Sequence, residues 1–341
     1  MYLNGRALVK ELAKRRAYTS RRIENIRDKL QSSEKIAKDK ACVYATGSFG
    51  RLEASQHSDL DLFILGKSDG LPGQDGKEGS RLKCLDEICI KADLIEVTRE
   101  LGIQEFSGDG RYLVHYSVHA LTKTLGTAED DVTNTFTARL LLLLESRPLL
   151  ESSVYDDLTQ EVIVAYWRDY EDHKTDFMPA FLANDILRLW RTFCVNYEAR
   201  TKRVPDVEKA KGKLKNYKLK HSRLLTCYSA LLYLLAVYVD QKTVSPSDAK
   251  TMIAMTPTQR LEWLLDKPYL SQAHTAIKNL LDQYEIFLET TNAAEKDLVE
   301  RFLDSSKSRE YMSNAYKFGD LVFEVLKSIG SENHFHRLLV V

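Results

Sequence analysis

Val43-Tyr44-Ala45-Thr46-Gly47-Ser48-Phe49-Gly50-Arg51 leads, through a short polar passage, into Ser58-Asp59-Leu60-Asp61-Leu62-Phe63-Ile64-Leu65. The first segment is an apolar run that stops at a Gly-Ser turn. The second is an apolar strand opened by two alternating carboxylates. Side chains alternate faces along a strand, so Asp59 and Asp61 point the same way. Carboxylates held that close repel unless a cation lies between them, and a divalent metal is the usual answer. Gly47 and Ser48, at the mouth of the first strand, offer backbone N–H groups and a hydroxyl that suit a phosphate. Arg51 sits three residues past Ser48, one turn on if a helix starts there, and so within reach of the same phosphates. Together these parts suit a nucleotide polyphosphate held through Mg²⁺, with Mn²⁺ as its substitute.

Gly47-Ser48, ten intervening residues, then Asp59-Leu60-Asp61 resemble the mark of the DNA polymerase β-type nucleotidyltransferase superfamily. Gly-Ser-Phe-Gly-Arg-Leu-Glu followed by Ser-Asp-Leu-Asp is most similar to the branch holding the PII-protein uridylyltransferases and related uncharacterised bacterial proteins. The resemblance covers residues 42–65 and fades by about 115. It implies Mg²⁺-dependent transfer of a nucleoside monophosphate from a nucleoside triphosphate, ATP by default, to a hydroxyl, releasing pyrophosphate. Gly47 and Ser48 would hold the outer phosphates, and Asp59 and Asp61 the metal ions. A third carboxylate on a later strand would complete the metal site and take the acceptor's proton. Asp93 and Asp109 are both candidates. Lys91-Ala92-Asp93-Leu94-Ile95-Glu96-Val97 can be read as that strand, with Asp93 on one face; against it, residues 81–101 contain no glycine or proline and their apolar positions recur at helical spacing, which favours a helix. Asp109 lies in Gly108-Asp109-Gly110, before a strand expected over 111–118; that tripeptide is also a plain turn signature.

The remaining chain reads as mostly helical. Residues 3–40 predict a helix with a narrow apolar stripe and twelve basic residues against five acids. Residues 66–80 carry five glycines and a proline and predict a mobile loop, with a flap over the nucleotide as its functional alternative. A short helix is expected over 49–54, and no strand after 118. Helices are expected over 136–146, 154–169, 179–198, 214–239, 258–265, 271–303 (broken) and 309–329, then a tail. The expected class is therefore α+β: a small mixed-sheet nucleotidyltransferase core with an N-terminal helix and a large C-terminal helical bundle. Its expected divisions are 1–40, 41–125, 126–330 and 331–341.

Ten basic residues against two acids fall within 200–223, and Lys215 and Lys218 among them are candidates for a triphosphate or an RNA backbone. Asn184, Asp185, Arg188 and Arg191 form a polar cluster on an otherwise apolar helix. The formal net charge is zero, so the chain is no bulk polycation, and any contact with nucleic acid must come from a local patch. Five scattered cysteines without Cys-x-x-Cys or zinc spacing suit a reducing cytoplasm. Residues 224–239 are sixteen without a charge, short of the roughly 20 that span a bilayer, so no membrane is expected. The absence of a Walker lysine motif disfavours a P-loop reading. The acceptor expected is a protein or an RNA, since the helical region is too long for a simple lid. The alternative is a non-catalytic nucleotide sensor or a component of a toxin–antitoxin type system.

Overall fold

The computed structural model describes residues 10–72, 78–104, 106, 110, 113–199, 205–331 and 333–340. It is an α+β protein, 72% helical, with a small mixed four-stranded sheet and a helical C-terminal region. The chain divides into two compact units, one of residues 13–168 and one of 169–341 together with the first twelve residues. The boundary after 168 differs from the expected ones. Residues 126–168 belong with the sheet because they supply its last strand.

In the sheet-bearing unit, α1 (Lys10–Lys29), all but its first three residues, and α2 (Gln31–Ala37) precede β1 (Ala41–Thr46). The expected single helix over 3–40 is broken at Leu30, a non-helical residue fully buried in the core. Strand β2 (Asp61–Gly66) pairs antiparallel with β1, and β5 (His115–Ser117) pairs parallel with β2. A parallel neighbour requires a crossover. Here α3 (Cys84–Glu100) lies within it, burying Ile90, Leu94, Val97 and Thr98 at helical spacing. On the far side of β1 lies β6 (Arg147–Leu150), antiparallel, giving the order β5-β2-β1-β6. Sequence reading expected no strand there: four residues containing Pro148 carry no strand pattern of their own, and the pairing edge of β1 recruits them.

Every residue of β1 is buried, as a central strand covered on both faces requires. One face packs Val43, Ala45, Leu60, Leu62 and Ile64 against Ile23, Ile26, Leu30, Ile90 and Leu94. The other is aromatic: Tyr44 stacks on Phe63 at 5.6 Å, and Tyr155 and Tyr116 extend the cluster. Tyr155 comes from α6 (Ser152–Tyr166), which follows α4 (Val118–Lys123) and α5 (Thr135–Glu145). The loop expected over 66–80 instead contains a two-stranded hairpin, β3 (Ser68–Pro72) with β4 (Glu78–Ser80). Its glycines had masked the pairing. The edge strand β6 is held by Arg27 of α1, whose guanidinium donates to the carbonyls of Leu149 (3.1 Å) and Pro148.

The second unit is helical. It holds α7 (Ala180–Glu198), α8 (Asp206–Lys218), α9 (Leu224–Gln241), α10 (Pro246–Ala254) and α11 (Pro257–Leu265). It continues with α12 (His274–Thr290), α13 (Glu295–Leu303), α14 (Ser305–Gly330) and α15 (His334–Val340). A π-helical turn at Leu219–Arg223 joins α8 to α9, so 206–241 run as one continuous helix. Its most apolar stretch is long and apolar enough to cross a membrane but is 78% buried within the protein, the behaviour of a core helix. Helix starts follow local chemistry: Ser245 with Asp248, and Thr256 with Gln259, close reciprocal capping boxes ahead of prolines. The tail expected over 331–341 is corrected at its centre. Residues 334–340 form α15, anchored by a fully buried Phe335 set edge-on to Tyr238.

Candidate active site

Strand β1 ends at Thr46, and Gly47 turns the chain with φ of +62° into a single helical turn, Gly47–Gly50. That backbone region strains any residue with a Cβ. A Cβ at Gly47 would also lie 2.8 Å from Asp61 Oδ2. The glycine therefore lets the carboxylate rest directly against the turn. Pairing of Thr46 with Asp61 at the end of the β1–β2 ladder fixes that position. Asp59 is held two residues earlier by an isolated parallel bridge to Gln104. Leu60 and Leu62 are buried in the core, so the alternation sends the two carboxylates to the opposite, aromatic face. Asp59, Asp61 and Ser48 are all partly exposed.

Arg51 does something other than expected. The helical turn stops at Gly50, and Leu52 takes a positive φ of 58°, so no helix aims Arg51 along the turn. Its Nε donates to Glu53 Oε2 and its Nη1 to Glu145 Oε2, both at 2.8 Å. All three side chains are at most 8% exposed. The guanidinium is a buried tie between the turn and the end of α5. The expected reach of Arg51 toward the phosphates is thus replaced by these two carboxylate partners.

Asp93 is likewise displaced from its candidate role. It lies on α3, where Oδ2 accepts a hydrogen bond from Ser33 Oγ of α2 at 2.8 Å. The helical period over 81–101 prevails over the strand reading, and its carboxylate fastens helix to helix. Asp109 lies outside the described residues.

Lys215 and Lys218 lie on α8 in the helical unit, both exposed, while Ala210, Leu214 and Tyr217 make the buried face. The structure thus brings together Gly47, Ser48, Asp59 and Asp61 and places the two lysines in a different unit. Of the polar cluster on α7, Asn184, Arg188 and Arg191 line a groove of about 380 Å³, joined by Leu338 and Leu339 of α15. Asp185 is buried and faces Arg188 at 3.8 Å.

Among the described residues, no group of three or more histidine, cysteine, aspartate or glutamate side chains is placed to hold a metal ion. Asp59 and Asp61 stand as a pair of hard oxygen donors, the donor type that Mg²⁺ prefers. Sequence reading missed the buried pairs of Arg51 with Glu145 and of Arg139 with Asp130. Asp130 and Arg139, nine residues apart and fully buried, are joined at 2.5 Å beside the Tyr166 hydroxyl. Nothing in their local sequence separates them from surface charges.

No family model matches the chain, and no curated protein or solved structure matches it either.

Proposed function

We propose that the protein is a nucleotidyltransferase, moving a nucleoside monophosphate from a nucleoside triphosphate, ATP by default, to a hydroxyl of a protein or RNA acceptor. The observation that carries this reading is the contact at Gly47, where the absent Cβ leaves Asp61 Oδ2 lying against the turn. Anion-seeking backbone and cation-seeking carboxylate thereby meet at one strand end, as a metal-bound polyphosphate requires.

Gly47 and Ser48 would receive the outer phosphates, with Asp59 and Asp61 holding Mg²⁺. The metal, when bound, supplies the charge that offsets the phosphates and the departing pyrophosphate. Pairing of Asp61 with Thr46 at the end of the ladder fixes its backbone before substrate arrives, which lowers the cost of ordering it. The acceptor hydroxyl attacks the α-phosphorus, the bond to the β-phosphate oxygen breaks, and pyrophosphate leaves. Asp109 remains the proposed base for the acceptor's proton.

The test uses α-labelled nucleoside triphosphates with Mg²⁺ and mixed protein and RNA acceptors, followed by separation of labelled species. Label is expected in a macromolecule. Asp61→Asn should lower transfer at least about 100-fold, the scale for losing one electrostatic stabiliser of a transition state, with melting unchanged. An Asp61→Asn protein that transfers at the wild-type rate would sink the proposal. Tight nucleotide binding with no pyrophosphate release would instead identify a nucleotide sensor.

A further inference from the structure

At the other end of β2, three side chains from distant parts of the sheet-bearing unit form a directed hydrogen-bond chain. Ser80 Oγ, at the end of β4, lies 3.0 Å from His115 Nε2 on β5. His115 Nδ1 lies 2.8 Å from Glu87 Oε2 on α3. The N–H of Leu82 donates to Ser80 Oγ at 3.2 Å, which leaves the serine proton directed at the imidazole. A carboxylate on Nδ1 selects the tautomer whose Nε2 is an acceptor. Glu87 is kept ionised. Burial opposes its charge, but hydrogen bonds from Lys91 and His115 outweigh that and hold the carboxyl below its usual range.

Gly66 completes the arrangement. A Cβ there would lie 2.0 Å from Ser80 Oγ and 2.8 Å from His115 Nε2, so only glycine leaves room for the two atoms to meet. Hydroxyl, imidazole and ionised carboxylate in this order form the arrangement that activates a serine for attack.

We propose that Ser80, His115 and Glu87 form a second reactive centre, in which Ser80 Oγ is a nucleophile toward small carboxylic esters. Ser80 Oγ bonds to the ester carbonyl carbon while its proton passes to His115 Nε2. The bond from that carbon to the alcohol oxygen breaks, and the alcohol leaves with the proton. Water then attacks the acyl-serine, releasing the acid and restoring the hydroxyl. Ser80 is partly exposed, whereas the His115 side chain is only 10% exposed, which restricts approach to a small acyl group. This centre is separate from the proposed nucleotide site. Asp61 opens β2 and Gly66 closes it, five residues on and about 17 Å away at strand rise.

The experiment treats the full chain with an ethoxy fluorophosphonate probe, locates the adduct by peptide mass mapping, and follows p-nitrophenyl acetate for a burst of product. One adduct per chain is expected on Ser80, and none in Ser80→Ala. His115→Gln should slow labelling about 100-fold or more, the usual contribution of a positioned base. Wild-type labelling should rise with deprotonation of one group and then level off. A purely structural tie between hairpin and sheet predicts no adduct, and wild-type protein with native melting that stays unlabelled at Ser80 overturns the proposal. Labelling that climbs in proportion to hydroxide without levelling overturns it as well, and needs no variant to fold. Neither outcome bears on nucleotidyl transfer.

Discussion

Arg51 shows how one residue's role is settled by what surrounds it. From sequence it follows a phosphate-binding turn; in the structure its guanidinium is shared by Glu53 and Glu145 within the interior. Removing one member of a buried charge group takes a partner from charges that are already desolvated, a loss of roughly 3–5 kcal/mol. Arg51→Met should therefore cost about that much stability by urea unfolding. The triple variant Arg51→Met, Glu53→Gln, Glu145→Gln should recover most of it. A variant that melts normally and loses only nucleotide affinity would restore the phosphate role to Arg51. The placement of Gly47, Ser48, Asp59 and Asp61 was legible from sequence because it is local, set by turn, spacing and strand alternation. Arg51, Asp93 and the Ser80–His115–Glu87 chain were not, because their partners lie 94, 60 and 35 residues away.

At the scale of elements, the π turn between α8 and α9 carries the clearest consequence. It puts His221 in the helical core, 1% exposed, stacked on Phe287 at 4.6 Å and beside Tyr217 and Phe318. Nδ1 donates to the Tyr217 carbonyl at 2.8 Å. Burial holds its pKa down to about 4 from an ordinary 6.5, against the opposing pull of that carbonyl. Between those two values the unfolded chain binds a proton that the folded chain refuses, so stability falls as pH is lowered through this window. The full loss is about 3 kcal/mol, reached near pH 4. His221→Phe should flatten that part of the stability profile, read from urea midpoints at pH 4 to 7. An unchanged slope would show that another group titrates there. Helical period made this helix legible, but the extra residue in its turn leaves no mark in an apolar pattern.

Across the whole molecule, sequence reading recovered the class and most helices but misplaced the boundaries. Short elements account for this: β6 has four residues and α15 seven, and neither is long enough to show its own period. They form because larger elements offer them a surface. Phe335 is the measure of that dependence. Phe335→Ala should lower stability by about 3–5 kcal/mol, as for other large aromatics removed from a core. Deleting 334–341 should do at least as much; a melting temperature within a degree of wild type would return the segment to the status of a tail. The two ends of the four-stranded sheet carry a further implication. One margin is three residues long and the other contains a proline, with the Pro148 and Leu149 carbonyls already taken by Arg27. Among the described residues neither margin offers an open ladder to another chain, so concentrated solutions should resist fibril growth by strand addition, and Arg27 is the side chain whose loss would first invite it.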